Sequence, residues 1–413
     1  MGRSRQAVGA VVLALALALS GCQRSQPAAQ PTPAPPSPSA SATGRPARPT
    51  AQDLDVAPTR DPVTSVAGRI AIAGDPGALV VDEVAGEAFV VGLPGEALQA
   101  IDLASHEVTG AIDLSGTEPL GPRLAADPYG GVLYATRALG SWRALTVIDV
   151  ASLRVTDVID VGSPGLWSAA VDPTTGTLYL MEEGTRGDGR GEGDLLVLDG
   201  TTRAVLGRIP LDVDESQAGI AVDPVHGRVL VSDWDRGRLL VIDAAALRVE
   251  TTIQVVASLA TRCENCLGGL GSPLVDPGSG LVYLAGPPPA AVVEPPQALA
   301  AGTGWALPTG GPPGAVPVQP VGVGASGIYV VDPEAGEVVA SATVPDPALG
   351  IDPAAGAAYL AGQAFSDGVR SVDVGTLTVS DAIPVAGGVR TLAVDPASGA
   401  VWAAAEGGLV VLE

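Results

Sequence analysis

Residues 221–255 read AVDPVHGRVLVSDWDRGRLLVIDAAALRVETTIQV, and the order of events in them decides the fold. A small-residue run, GIAV (219–222), leads into an Asp-Pro-x-x-Gly corner. A second apolar run, VLVS, follows, then a third ending in V-I-D, then a fourth, TTIQV. Short runs rich in Val, Ile and Leu and bounded by turn residues are strands rather than helices. Asp hydrogen-bonds turn amides, Pro presets φ and Gly supplies positive φ, so the corner reads as a tight turn joining strands one and two. The V-I-D step reads as sheet packing.

The same order recurs along the chain. Corners begin at Asp82 (with Glu83 in the place of Pro), Asp127, Asp172, Asp223, Asp276, Asp352 and Asp395, at spacings of 43 to 53 residues with one of 76. A period in the forties containing four short strands is the signature of a propeller blade. Seven corners predict an all-β fold, a seven-bladed β-propeller of four-stranded blades over residues 63–413, with six or eight blades as lesser alternatives. The first strand of each unit carries Ala and Gly, as crowding around the axis demands, and the branched residues of the others fill the space between blades. The aromatic found in the second strand of six units (Phe89, Tyr134, Tyr179, Tyr283, Tyr359 and Trp402) is expected to pack between blades. The last unit, RTLAVDPASGAVWAAAEGGLVVLE, supplies three strands up to Glu413. VTSVAGRIAIAG (63–74) is expected to supply the fourth, closing the ring and covering an exposed edge.

At this point a family likeness emerges. LYATRALGSWRALTVIDVASLRVTDVIDVGSPG (133–165) and RVLVSDWDRGRLLVIDAAALRVETTIQV (228–255) resemble the repeats of YVTN-type, surface-layer β-propeller proteins. The likeness covers roughly residues 63–413, and Tyr134-Ala135-Thr136 comes nearest the signature tetrapeptide. It implies an extracytoplasmic binding protein, with relatives of similar architecture among lactonases and lyases.

Composition removes several functions. The net charge is −23 and all 22 basic residues are Arg, so the surface repels a phosphate backbone and no nucleic-acid partner is expected. Without Lys there is neither Schiff-base chemistry nor a Walker-type phosphate loop. His106 and His226 are the two histidines, too few for a multi-His copper or zinc centre.

The N-terminus is an address. MGRSRQAVGAVVLALALALSGC places Arg3 and Arg5 before an apolar run, Val8 to Leu19, too short to span a bilayer as a mature helix. Leu19-Ser20-Gly21-Cys22 resembles the bacterial lipoprotein signal. Residues 1–21 are then a signal peptide and Cys22 is lipidated, the alternative being an ordinary secretory signal with a chance Cys. Residues 22–62, rich in Pro, Ala and Ser, are expected to form a disordered tether holding the head off the membrane. The expected location is extracytoplasmic, lipid-anchored to a bacterial membrane, with a monomeric head.

In a four-stranded blade the 1–2 and 3–4 connections leave one face, and the 2–3 and blade-to-blade connections the other. The long insertions, 182–194, 258–271 and 286–326, all fall in the second set, where loops on a rigid scaffold concentrate binding. Cys263 and Cys266 form C-E-N-C there. With Cys22 lipidated they make an even pair, read as a local disulfide, with a redox-active dithiol as the alternative. Trp142, Trp167, Asp233, Trp234, Asp235 and Arg236 are candidates for a binding surface, the tryptophans being placed in loops of that face. Glu182, Glu183, Asp188, Glu192, Asp194, Asp212 and Asp214 gather on the same side. They are weak candidates for Ca²⁺, which takes six to eight oxygens; solvated acidic loops are the plainer reading, and no other cofactor is expected. Two functions remain. One is a membrane-anchored binding or scaffold module for an envelope protein, peptide or glycan. The other is a propeller enzyme of lactonase-like, lyase-like or quinone-dependent dehydrogenase type, for which no catalytic constellation is visible.

Overall fold

Each Asp-Pro-x-x-Gly corner closes through its own side chain. In the computed structural model, the corner carboxylate accepts an amide two or three residues on: Ala85 N to Asp82 at 2.8 Å, Gly130 N to Asp127 at 2.9 Å, His226 N to Asp223 at 3.1 Å. The glycine four residues after the Asp holds a left-handed φ, from 57° at Gly356 to 83° at Gly399; Gly86, Gly131, Gly176, Gly280 and Gly399 return their amides to the Asp carbonyl, and Gly356 donates to the Pro353 carbonyl. Only glycine adopts this conformation without cost. The structure describes residues 45–54, 60–93, 97–114, 123–136, 144–162, 165–182, 193–213, 218–234, 236–256, 270–289, 326–344, 348–361 and 368–413.

The V-I-D step is a second turn motif, not sheet packing alone. Asp102, Asp149, Asp199, Asp243, Asp332 and Asp373 end third strands, and each accepts the amide three residues on, at 2.7 to 3.0 Å. Hydrogen bonds from these amides hold Asp102, Asp199 and Asp243 below the usual carboxylate range. Four residues after the Asp the chain takes a positive φ, at His106, Leu153, Arg203, Leu247 and Leu377, and at Gly336 in the sixth case.

These two turns, repeated, give seven four-stranded antiparallel sheets among the described residues. Blades 1 to 6 occupy residues 75–113, 124–160, 166–210, 219–254, 274–344 and 348–384. Blade 7 takes three strands from 389–412 and its fourth, Val66–Ile70, from the N-terminal side, paired antiparallel with Gly408–Leu412. The closing strand therefore lies within the stretch expected to supply it.

Seven apolar clusters fill the seven blade junctions, and the second-strand aromatics lie in six of them. Trp402 packs between blades 7 and 1, Phe89 between 1 and 2, Tyr134 between 2 and 3. Tyr179, Tyr283 and Tyr359 do the same at junctions 3/4, 5/6 and 6/7. Junction 4/5 uses Leu230 at this place, with Tyr329 from the third strand of blade 5. All six aromatics are buried, so their role as inter-blade packing stands.

Residues 45–54 and 60–65 lie against the face carrying the 1–2 and 3–4 turns, termed here the turn face. Arg48 forms a bidentate pair with Asp127 of blade 2, and Arg60 with Asp352 of blade 6. Val63 N donates to the Tyr359 hydroxyl at 3.2 Å, and Thr64 and Ser65 donate to the Glu413 carbonyl. The physical reason is charge: these corner carboxylates are almost fully buried and need a counter-charge, which two tether arginines provide.

Candidate functional site

The opposite, loop face carries the 2–3 and blade-to-blade connections, and its best-defined part is the 2–3 turn of blade 4. Arg228–Asp233 and Arg238–Asp243 are the second and third strands of that blade, in register from Arg228↔Asp243 to Asp233↔Arg238. The pairing brings Asp233 and Arg238 together at the loop end. Asp233 is fully buried and accepts Arg238 Nη2 at 2.5 Å and Nε at 3.0 Å. It also takes the Arg236 amide at 3.2 Å. Arg236 leans out: its Nη2 lies 3.0 Å from the Asp212 carboxylate, and its Nη1 donates to the Asp212 carbonyl at 2.5 Å. Arg238 Nη2 donates to the same carbonyl at 2.7 Å. Gln254 clamps the turn from the fourth strand, donating to the carbonyls of Arg236, Gly237 and Val256.

The sequence candidates therefore separate by role. Asp233 is the buried counter-charge that holds the corner, not a surface ligand. Arg236 and Asp212, 47% and 59% exposed in their side chains, are the groups this corner presents to solvent, beside half-buried Trp234. Trp167 is not in a loop. It lies in the first strand of blade 3, Leu166–Val171, at a register shift between Leu166 and Ser168, and packs on the junction cluster around Tyr179 and Ile220. A bulge is what its position required, because one extra residue re-aims a side chain at a strand end.

Glu182 is likewise held: it is buried, and Arg208 Nε meets it at 2.7 Å while Arg208 Nη2 donates to the Val161 carbonyl. Asp194 starts the third strand of blade 3, directly opposite Glu182. Among the described residues no three His, Cys, Asp or Glu side chains converge as a metal-binding group. Cys22, Trp142, Glu183, Asp188, Glu192, Asp214, Asp235, Cys263 and Cys266 lie outside the described residues, as does most of each insertion. The two histidines are both on the turn face. His106 stands edge-on to Trp402, with ring centroids 5.5 Å apart, and His226 Nδ1 lies 3.0 Å from the Asp223 carboxylate. Sequence reasoning missed the arginines that carry the ion pairs: Arg228 and Arg238 begin strands, and Arg208 lies within the fourth strand of blade 3. For Arg228 and Arg238 the signal was an Arg placed five residues after an Asp, Asp223 and Asp233.

A ring of seven four-stranded blades closed by an N-terminal strand defines the chain as a seven-bladed β-propeller. No protein-family model matches it, and no curated protein does. Solved structures do. It is similar to the β-propeller domain of Cps50 (Swd1) from Myceliophteria thermophila, at 10% identity and a TM-score of 0.57, over 84% of this chain and 98% of that one. It is also similar to hydrazine synthase from Kuenenia stuttgartiensis, at 15% identity and a TM-score of 0.56, over 83% and 96%. At such identities the likeness is one of fold.

Proposed function

We propose that the protein is a lipid-anchored extracytoplasmic binding module of the YVTN-type, surface-layer kind, engaging an envelope protein, peptide or glycan through its loop face. The observation that carries this reading is one-sidedness. All three long insertions connect strands on the loop face, whereas the turn face is a repeat of short, self-capped turns covered in part by residues 45–54 and 60–65. A rigid ring that varies on one side only is built like a binding scaffold, with sequence change concentrated where it does not disturb the blades. The arginine-locked corner at Asp233 supports it, since it fixes Arg236 and Trp234 in place on that face without mobile side chains to order on binding.

The lipid part of the reading rests on Leu19-Ser20-Gly21-Cys22 and predicts that Cys22→Ser abolishes incorporation of labelled fatty acid and releases the protein from membranes. The binding part is tested by cross-linking in intact cells. Full-length protein should capture partners that a variant lacking 286–326 loses or captures weakly. An unchanged set of cross-linked partners after removal of all three insertions overturns the loop-face assignment.

A further inference from the structure

The corners of the turn face divide into two chemical kinds. Three contain a Ser or Thr whose hydroxyl closes onto the corner carboxylate: Thr174 on Asp172 and Ser279 on Asp276, both at 2.6 Å, and Ser398 on Asp395 in a short bond. Four contain neither: Asp82-Glu-Val-Ala-Gly, Asp127-Pro-Tyr-Gly-Gly, Asp223-Pro-Val-His-Gly and Asp352-Pro-Ala-Ala-Gly. At three of these four a guanidinium takes the place of the hydroxyl. Arg48 meets Asp127 at 2.7 and 2.6 Å, Arg60 meets Asp352 at 3.0 and 2.8 Å, and Arg228 meets Asp223 at 3.1 and 2.6 Å.

Each of the three also reaches the corner of the next blade. Arg48 donates to the Pro173 carbonyl, Arg60 to those of Pro396 and Ala397, and Arg228 to that of Gly280. Each lies over that corner's left-handed glycine, 2.4 Å (Gly176), 2.6 Å (Gly399) and 2.9 Å (Gly280) from where a Cβ would stand. The glycine is thus needed twice, for its φ and for the space above it. A buried carboxylate, the next blade's carbonyl and a bare glycine surface together make a socket for a planar cation with paired donors.

The fourth such corner is half complete. Asp82 is fully buried; its Oδ1 accepts the Ala85 amide, and its Oδ2 has no hydrogen-bond partner. Arg45 already occupies the other half of that junction. Its Nη1 donates to the Pro128 carbonyl of blade 2 at 2.5 Å, and its guanidinium lies 2.4 Å from the Cβ position of Gly131. The sequence Arg45-Pro46-Ala47-Arg48-Pro49 suits the pair of sites. A residue before Pro is held extended, and polyproline geometry puts side chains three apart on one side, roughly 9 Å from each other.

We propose that the turn face is a guanidinium-binding surface whose resident ligands are the chain's own Arg45, Arg48 and Arg60, with Arg45 closing onto Asp82 as Arg48 and Arg60 close onto Asp127 and Asp352. The sockets do not rest on the anchored reading above.

Two measurements on the full chain test it, and neither involves the anchor or an envelope partner, so their failure is distinct from failure of that reading. The first grafts a hydroxyl. Arg60→Ala and Arg45→Ala should each lower the melting temperature by about 2 °C or more. Ala355→Ser, which turns the Asp352 corner into the sequence of the Asp395 corner, should restore most of the first loss, and Ala85→Ser most of the second. An unchanged melting temperature in Arg45→Ala, or no rescue by either serine, overturns the socket assignment. The second supplies the ligand in trans. A fluorescent peptide of residues 44–54 is titrated by anisotropy against the chain bearing Arg45→Ala, Arg48→Ala and Arg60→Ala, its fold checked by circular dichroism. Binding to this variant, at least tenfold weaker binding to the unaltered chain, and loss of binding on adding Asp127→Asn are expected. No binding to the folded variant, or equal binding to all three, overturns the proposal; if the triple variant does not fold, the single-site grafts decide.

Discussion

At the scale of single residues, five buried carboxylates of this propeller, Asp127, Glu182, Asp223, Asp233 and Asp352, are met by the arginines beside them. Asp233 has no solvent exposure, and its charge is met by Arg238, 22% exposed, and more loosely by Arg236, 47% exposed. Removing one partner of a buried pair leaves the other uncompensated, which costs about 3–5 kcal/mol, whereas a half-exposed partner contributes about 1 kcal/mol or less. Arg238→Ala should therefore destabilise the protein severely in denaturant unfolding, and Arg236→Ala hardly at all. That contrast makes Arg236→Ala the informative variant for binding, because it changes the presented surface while the corner beneath it holds. Equal losses from the two variants would mean that the corner is held mainly from Asp212.

At the scale of the element, the turn between third and fourth strands carries more than its sequence advertised. Its fifth residue sits at positive φ, which for Leu costs about 1–2 kcal/mol, so something must offset it. The offset is visible in the packing: Leu153 of blade 2 lies over Gly110 of blade 1, and Leu247 of blade 4 over Gly207 of blade 3. A Cβ on Gly110 would stand 2.2 Å from Leu153 Cδ1. Gly110→Ala should then cost about 1–3 kcal/mol by overpacking. Most of that cost should vanish in a Leu153→Ala background, as a double-mutant cycle of unfolding free energies would register. Additive effects would place the cost in the strand itself. His106 is the same device in blade 1, resting against Gly68 of the closing strand and edge-on to Trp402.

At the scale of the whole molecule, stability is shared among seven similar junctions, and several hold a tyrosine ring. Burial pushes the Tyr179 and Tyr329 hydroxyls up to about 12 and Tyr283 higher still. A raised phenol stays neutral in the folded chain while the unfolded chain ionises near its ordinary value. The stability it contributes is full below about pH 10 and is lost as pH climbs from there through the folded value. Alkaline unfolding between about pH 10 and 12 is therefore expected, with phenolate absorbance rising together with loss of the near-ultraviolet circular dichroism. Tyr283→Phe should shift that midpoint upward. Titration of all tyrosines near pH 10 with the fold intact would contradict it.

What the sequence determined by itself was everything that repeats locally. The Asp-Pro-x-x-Gly corners, the strand order, the blade count, the aromatics of six second strands and the closing role of 63–74 all follow from the turn chemistry and periodicity of residues close in sequence. What only the tertiary structure decided was which charges meet. Arg48 and Asp127 are 79 residues apart, and Arg60 and Asp352 are 292 apart. Nothing in composition could show that Arg48 and Arg60 meet the corner carboxylates of blades 2 and 6. Trp167 read as a loop residue because the bulge that re-aims it is invisible in a run of apolar letters. Asp233 read as surface because its burial depends on Arg238 across a hairpin and on the chain from blade 3 that lies over it. Ring closure brings those partners together, and a buried charge takes its role from the neighbour the fold supplies.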